Sequence, residues 1–124
     1  MKSLSVLGST GSIGCNVLNI VEKFPRELTV QALAAKSNVE LLARQIERFR
    51  PAMAVVFDEN RARELKARVA SSCAVDIRWG ENPYLAAAAL DSVDMTVTAM
   101  VGAAGLMPTL AAIDAGKSIA LANK

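Results

Sequence analysis

The chain has 124 residues, 52% of them hydrophobic and 21% charged, with a formal net charge of +2. That composition suits one globular domain with a sizeable core, and the mild, mixed charge argues against nucleic acid or an anionic membrane surface as a partner. There are no histidines, and Cys15 and Cys73 stand in no metal-ligand pattern, so metal or acid–base chemistry would need other groups and the thiols read as reduced, as in a cytoplasmic protein.

Leu4-Ser5-Val6-Leu7 reads as a short strand ending at Gly8, so close to Met1 that no signal peptide is expected. Beyond a glycine loop, Ile13, Val17, Ile20, Val21 and Phe24 recur at helical spacing, and Pro25 stops that helix. Leu28 to Ala35 is a second strand. Asn38 is a suitable N-cap for a helix that carries Val39, Leu42, Ile46 and Phe49 on one face and stops at Pro51. Met53 to Phe57 is a third strand, and Asp58 caps a helix with Ala62, Leu65 and Val69.

Val75 to Trp79 is a weaker fourth strand, followed by a helix opened by Asn82-Pro83. Val93 to Ala99 is a fifth strand. The loop VGAAG follows, then a helix from about Leu106 to Ala115, a stop at Gly116, and a sixth strand from Ser118 to Ala122. Met95 to Ile113 carries no charge and is long enough to span a bilayer, but its threonines, glycines and Pro108 make a membrane span a poor reading. Alternation of strand and helix predicts an α/β doubly wound parallel sheet of Rossmann type, residues 1–124 forming one domain. About six strands are expected, with helices on both faces and the order 3-2-1-4-5-6.

The loop VLGSTGSIG places Gly8, Gly11 and Gly14 three residues apart between the first strand and its helix. In a phosphate-binding reading, Gly8 makes the tight turn, Gly11 leaves room for a pyrophosphate, and Gly14 lets the helix pack closely on the sheet. Free N–H groups near Ser12 and Ile13 face the anion, and Ser9, Thr10 and Ser12 offer hydroxyls. An NAD site usually carries a carboxylate at the end of the second strand. Here that end reads Ala34-Ala35-Lys36-Ser37-Asn38, with a cation, a hydroxyl and an amide in its place. This suits a 2′-phosphate, and NADP(H) is expected over NAD(H). A plain solvated Lys36 and a purely capping Asn38 are the competing reading.

At the far end of the chain, VGAAG and then Asn123-Lys124 fall on the same sheet edge. The amide and ammonium are placed either to meet the cofactor and an anionic substrate, or as loop packing and a frayed terminus. No catalytic set is visible. Asp91 and Asp94 read as a turn and a strand start, Asp76 and Glu81 as unpartnered, and Cys15 as a packed thiol.

LGSTGSIG together with VGAAGLMPTLAAIDAGKSIALANK resembles the 1-deoxy-D-xylulose 5-phosphate reductoisomerase family, across the whole chain. That resemblance implies an NADPH-dependent enzyme of isoprenoid biosynthesis that isomerises and reduces a ketose phosphate to 2-C-methyl-D-erythritol 4-phosphate. It also implies a requirement for Mg²⁺ or Mn²⁺ and a cytoplasmic homodimer. By the family's motif, Gly8, Thr10, Gly11, Ser12 and Ile13 would bind the cofactor phosphates, Lys36, Ser37 and Asn38 the 2′-phosphate region, Asn123 the NADPH, and Lys124 the substrate.

Two departures stand out. The family often has glycine where this chain has Lys36, and the sequence stops inside the family's Asn-Lys-Glu-Ser motif. The metal-holding carboxylates, the catalytic residues and the C-terminal domain are therefore expected outside this segment, which would be inactive alone. The competing readings are the NADP-binding domain of another oxidoreductase, such as a semialdehyde or sugar dehydrogenase, and a non-catalytic NADPH-binding module.

Overall fold

The structure, a computed structural model, describes residues 2–69, 74–90, 93–98 and 118–121. β1 (Lys2–Leu7) leads through the glycine loop into α1 (Ser12–Lys23), β2 (Leu28–Ala34) into α2 (Val39–Phe49), and β3 (Met53–Val56) into α3 (Glu59–Arg68). Then follow β4 (Asp76–Trp79), α4 (Glu81–Ala88), β5 (Met95–Thr98) and β6 (Ser118–Leu121). The expected helix from Leu106 to Ala115 lies outside the described residues, as do Cys73 and Asp91. Of the uncharged run Met95 to Ile113, the described part is strand β5, and no helix among the described residues is long and apolar enough to cross a membrane.

All strand pairs are parallel, in one sheet of order β4-β3-β2-β1-β5-β6. This corrects the expected 3-2-1-4-5-6. β4 joins the far edge beside β3, and β5 takes the place next to β1. The doubly wound character is unchanged, and the handedness of crossovers explains it. From β1 to β4 the chain steps in one direction, so right-handed crossovers put α1, α2 and α3 on one face. It then returns past three strands to β5, and the same handedness puts α4 on the other face.

The core divides accordingly. On the first face Leu4, Val6, Val30, Leu33, Ala54 and Val56 pack with Leu18 and Val21 of α1, Leu42 and Ile46 of α2, and Leu65 of α3. On the second face Leu7, Ala32, Ala34, Met53 and Val55 pack with Ala87 of α4. Each fully buried leucine or isoleucine contributes about 1.5–3 kcal/mol. The register of β1 against β2 slips by one residue, from Leu4 opposite Val30 to Ser5 opposite Ala32. Gln31 is the extra residue, and this bulge is why Val30 and Leu33 share a face although three positions apart.

The helix ends follow their local chemistry. The Leu41 N–H donates to Oδ1 of Asn38 at 3.2 Å, and the Arg61 N–H donates to Oδ1 of Asp58 at 2.9 Å, so both expected caps form. α2 ends with Arg50 in the left-handed region, φ 51°, immediately before Pro51. Asp94 is a structural residue at the head of β5, where its Oδ2 accepts from the Ser3 N–H at 2.9 Å and its own N–H donates to the Ser3 carbonyl at 2.8 Å. Asp76, read from sequence as unpartnered, pairs with Nε of Arg78 at 2.8 Å. The two lie two positions apart on an edge strand, where side chains of like direction meet.

Candidate functional site

The glycine loop sits at the carboxyl edge of the sheet, and backbone bonds fix it there. The N–H groups of Gly8 and Ser9 both donate to the Ala34 carbonyl, at 2.7 and 3.0 Å, tying the loop to the end of β2. The Gly11 N–H donates to the Gly8 carbonyl at 3.2 Å, closing the turn. Gly8 has φ 82°, a conformation that side chains disfavour. A Cβ on Gly14 would stand 2.2 Å from the Gly8 carbonyl oxygen and 2.7 Å from Cα of Ser9, so only glycine lets α1 approach the loop this closely.

Gly11 differs from both. Its backbone is extended, with φ −76° and ψ 171°, and a Cβ there would meet the Gly8 oxygen at an ordinary 3.6 Å. Nothing among the described residues requires a glycine at this position. Gly11 is the N-cap of α1, with no side-chain capping bond and no acidic residue in the first turn. The first intrahelical bond runs from the Cys15 N–H to the Gly11 carbonyl at 2.9 Å. The N–H groups of Ser12, Ile13 and Gly14 therefore have no acceptor within the helix, and they carry its positive end. Gly11 and Ser12 are exposed and Thr10 and Ile13 half-buried, so this edge faces outward. Ser9 departs from expectation: it is fully buried, and its hydroxyl is buried without a partner among the described residues.

A residue that the sequence reading passed over supports the loop from behind. Gln45 of α2 is 6% exposed, and its Nε2 donates to the Ser9 carbonyl at 2.9 Å. The same amide lies 3.9 Å from Sγ of Cys15, whose thiol points at the Ser9 carbonyl from 3.7 Å. Cys15 is thus a half-buried packed thiol, as expected. The available signal was a polar residue one position before the buried Ile46, on a helix whose other buried side chains are apolar. On the opposite face, the Ser5 hydroxyl donates to the Ala87 carbonyl at 2.7 Å and anchors α4 beneath the first strand. Thr98, opposite Leu7 at the end of β5, has a buried hydroxyl without a partner among the described residues.

Lys36, Ser37 and Asn38 lie just beyond β2, on the edge that holds the loop, and all three are exposed. Lys36 is in no ion pair among the described residues, and its Nζ stands 5.6 Å from the centre of the Phe57 ring. Oδ1 of Asn38 is engaged as the cap, and its side-chain amide has two further N–H donors. The structure therefore brings Gly8, Thr10, Gly11, Ser12 and Ile13 to one edge with Lys36, Ser37 and Asn38. Asn123, Lys124 and the VGAAG loop lie outside the described residues. No group of three or more His, Cys, Asp or Glu residues able to hold a metal occurs among the described residues.

Residues 4–124 match the family model of 1-deoxy-D-xylulose 5-phosphate reductoisomerase. Among similar proteins, the enzyme of that name from Desulfosudis oleivorans is 52% identical over 124 residues and that from Chlorobaculum tepidum 48% identical. The alignments cover 100% of this chain and 32% of each relative, so the chain spans about a third of their length. The solved structure of the reductoisomerase from Zymomonas mobilis in complex with NADPH superposes with a TM-score of 0.90 at 38% identity, covering 98% of this chain and 32% of the other. A crystal structure of the enzyme with NADPH, fosmidomycin and magnesium superposes with a TM-score of 0.93 at 36% identity, covering 99% of this chain and 30% of the other. The chain belongs to the 1-deoxy-D-xylulose 5-phosphate reductoisomerase family.

Proposed function

We propose that this chain is the NADPH-binding part of a 1-deoxy-D-xylulose 5-phosphate reductoisomerase. The observation that carries this reading is Gly11, a glycine with no steric or conformational need to be one, set at the open positive end of α1. A pyrophosphate approaching the backbone supplies the missing reason. In this reading the N–H groups of Ser12 and Ile13 hold the pyrophosphate, the Thr10 and Ser12 hydroxyls add donors, and Lys36, Ser37 and Asn38 surround the 2′-phosphate. Asn123 touches the cofactor, and Lys124 reaches the phosphorylated sugar. NADPH supplies the hydride that reduces the rearranged aldehyde. The work of these residues is to bind and orient the cofactor at the sheet edge.

In this proposal the Mg²⁺ or Mn²⁺ of the reaction is held by residues outside this segment. The same applies to the catalytic groups, and homodimer formation and a cytoplasmic location are part of the same proposal. The test is a titration of the full-length natural protein with NADPH and NADH, read by fluorescence of the reduced nicotinamide. NADPH is expected to bind at least tenfold tighter, since contacts to a charged group are each worth about 1.5–3 kcal/mol. Equal binding of the two would remove the 2′-phosphate assignment, and binding of neither would remove the reading.

A further inference from the structure

We infer that Phe57 strengthens the cofactor preference by holding the Lys36 ammonium in place for the 2′-phosphate; this rests on the NADPH reading above. The two residues are placed by adjacent strand ends. The Ala35 N–H donates to the Val55 carbonyl at 3.0 Å, and the Phe57 N–H donates to the Lys36 carbonyl at 3.2 Å, so the β2–β3 ladder continues past both strands and brings the side chains side by side. Phe57 is 56% exposed and Lys36 is exposed, so the core claims neither of them. The ammonium stands 5.6 Å from the ring centre, within the reach of a cation–π attraction.

The neighbouring carboxylate is already engaged. Asp58, the carboxylate next to Phe57, is the N-cap of α3 and binds Nη1 of Arg61 at 2.5 Å. Lys36 is in no carboxylate pair among the described residues, so its charge is available to a ligand.

A free lysine side chain is highly mobile, and ordering it costs a ligand part of the binding energy. The ring face orders the ammonium beforehand without consuming a hydrogen-bond acceptor. The N–H donors turned away from the ring then remain for phosphate oxygens. NADH has no 2′-phosphate and gains nothing from this arrangement. Phe57 is accordingly a positioning residue that acts through Lys36.

The experiment measures NADPH and NADH dissociation constants in the full-length natural protein for the wild type, Phe57→Leu, Phe57→Tyr, Lys36→Gln and the Lys36→Gln/Phe57→Leu double variant. Phe57→Leu is expected to weaken NADPH about two- to fivefold and leave NADH unchanged. Phe57→Tyr, which keeps the ring face, is expected to match the wild type. In the Lys36→Gln background, Phe57→Leu is expected to have no further effect. Equal weakening of both dinucleotides by Phe57→Leu would overturn the inference, because the ring would then be packing on a part the two share. Persistence of the full effect without Lys36 would overturn it too. A wild type that binds NADPH and NADH equally would overturn the 2′-phosphate reading together with this inference, whereas a selective wild type with independent Phe57 and Lys36 effects would overturn this inference alone.

Discussion

Three glycines at equal spacing answer to three different demands. Gly14 is a packing glycine: the 2.2 Å approach of a Cβ to the Gly8 oxygen meets rigid backbone. Gly14→Ala is expected to cost about 1–3 kcal/mol, measured as a lower chemical-denaturation midpoint at unchanged m-value. Gly11 has no such steric demand, and under the proposed function it is the glycine that admits the ligand. Gly11→Asp provides a good N-cap and a negative charge at the positive helix end, so the ligand-free protein should be as stable as the wild type or slightly more so. The same carboxylate repels a pyrophosphate. NADPH at a hundredfold excess over its wild-type Kd should stabilise the wild type by about 2.7 kcal/mol and leave this variant's melting temperature unmoved. Binding is thus expected to fall without loss of stability at Gly11, whereas Gly14 is expected to show as a loss of stability, which separates the two roles. The glycine spacing itself was legible in the sequence. That Ser9 turns inward while Ser12 stays exposed was not, because it depends on the two bonds from the loop to Ala34.

At the scale of elements, the loop is held by a helix distant in sequence. Gln45 of α2 reaches the Ser9 carbonyl across 36 residues, and it does so from a buried position where its amide is the donor. Gln45→Glu keeps the size and removes the donor while burying a carboxylate beside a carbonyl oxygen. A loss of at least about 2 kcal/mol is expected, measured by thermal unfolding, with weaker NADPH binding because the loop loses its support. Gln45→Met, which leaves the Ser9 carbonyl unpaired without adding charge, should cost less. Wild-type stability in the glutamate variant would show that the amide does not brace the loop. α2 was recognisable as amphipathic from Val39, Leu42 and Ile46, but periodicity records only that a face is buried. It does not record that one position on that face meets a polar backbone atom of another element.

For the molecule as a whole, the proposed function makes the described residues a platform for the cofactor, with the reacting groups supplied from outside this segment. The 124-residue chain is expected to show no sustained, substrate-dependent NADPH oxidation with 1-deoxy-D-xylulose 5-phosphate and Mg²⁺, followed by absorbance of the reduced nicotinamide. Sustained turnover would place catalytic groups and a metal site within this segment. The sequence by itself determined the alternation of strand and helix, the parallel sheet, the caps at Asn38 and Asp58, and the edge at which loop and basic residue meet. Each follows from local periodicity, local capping, or the handedness of a single crossover. Only the tertiary structure decided the strand order, the face-switching bulge at Gln31, the Gln45 brace and the pairing of Lys36 with Phe57. These depend on how far each strand steps along the sheet and on which distant residues the packing then brings within bonding distance, and neither quantity leaves a mark in nearest-neighbour sequence.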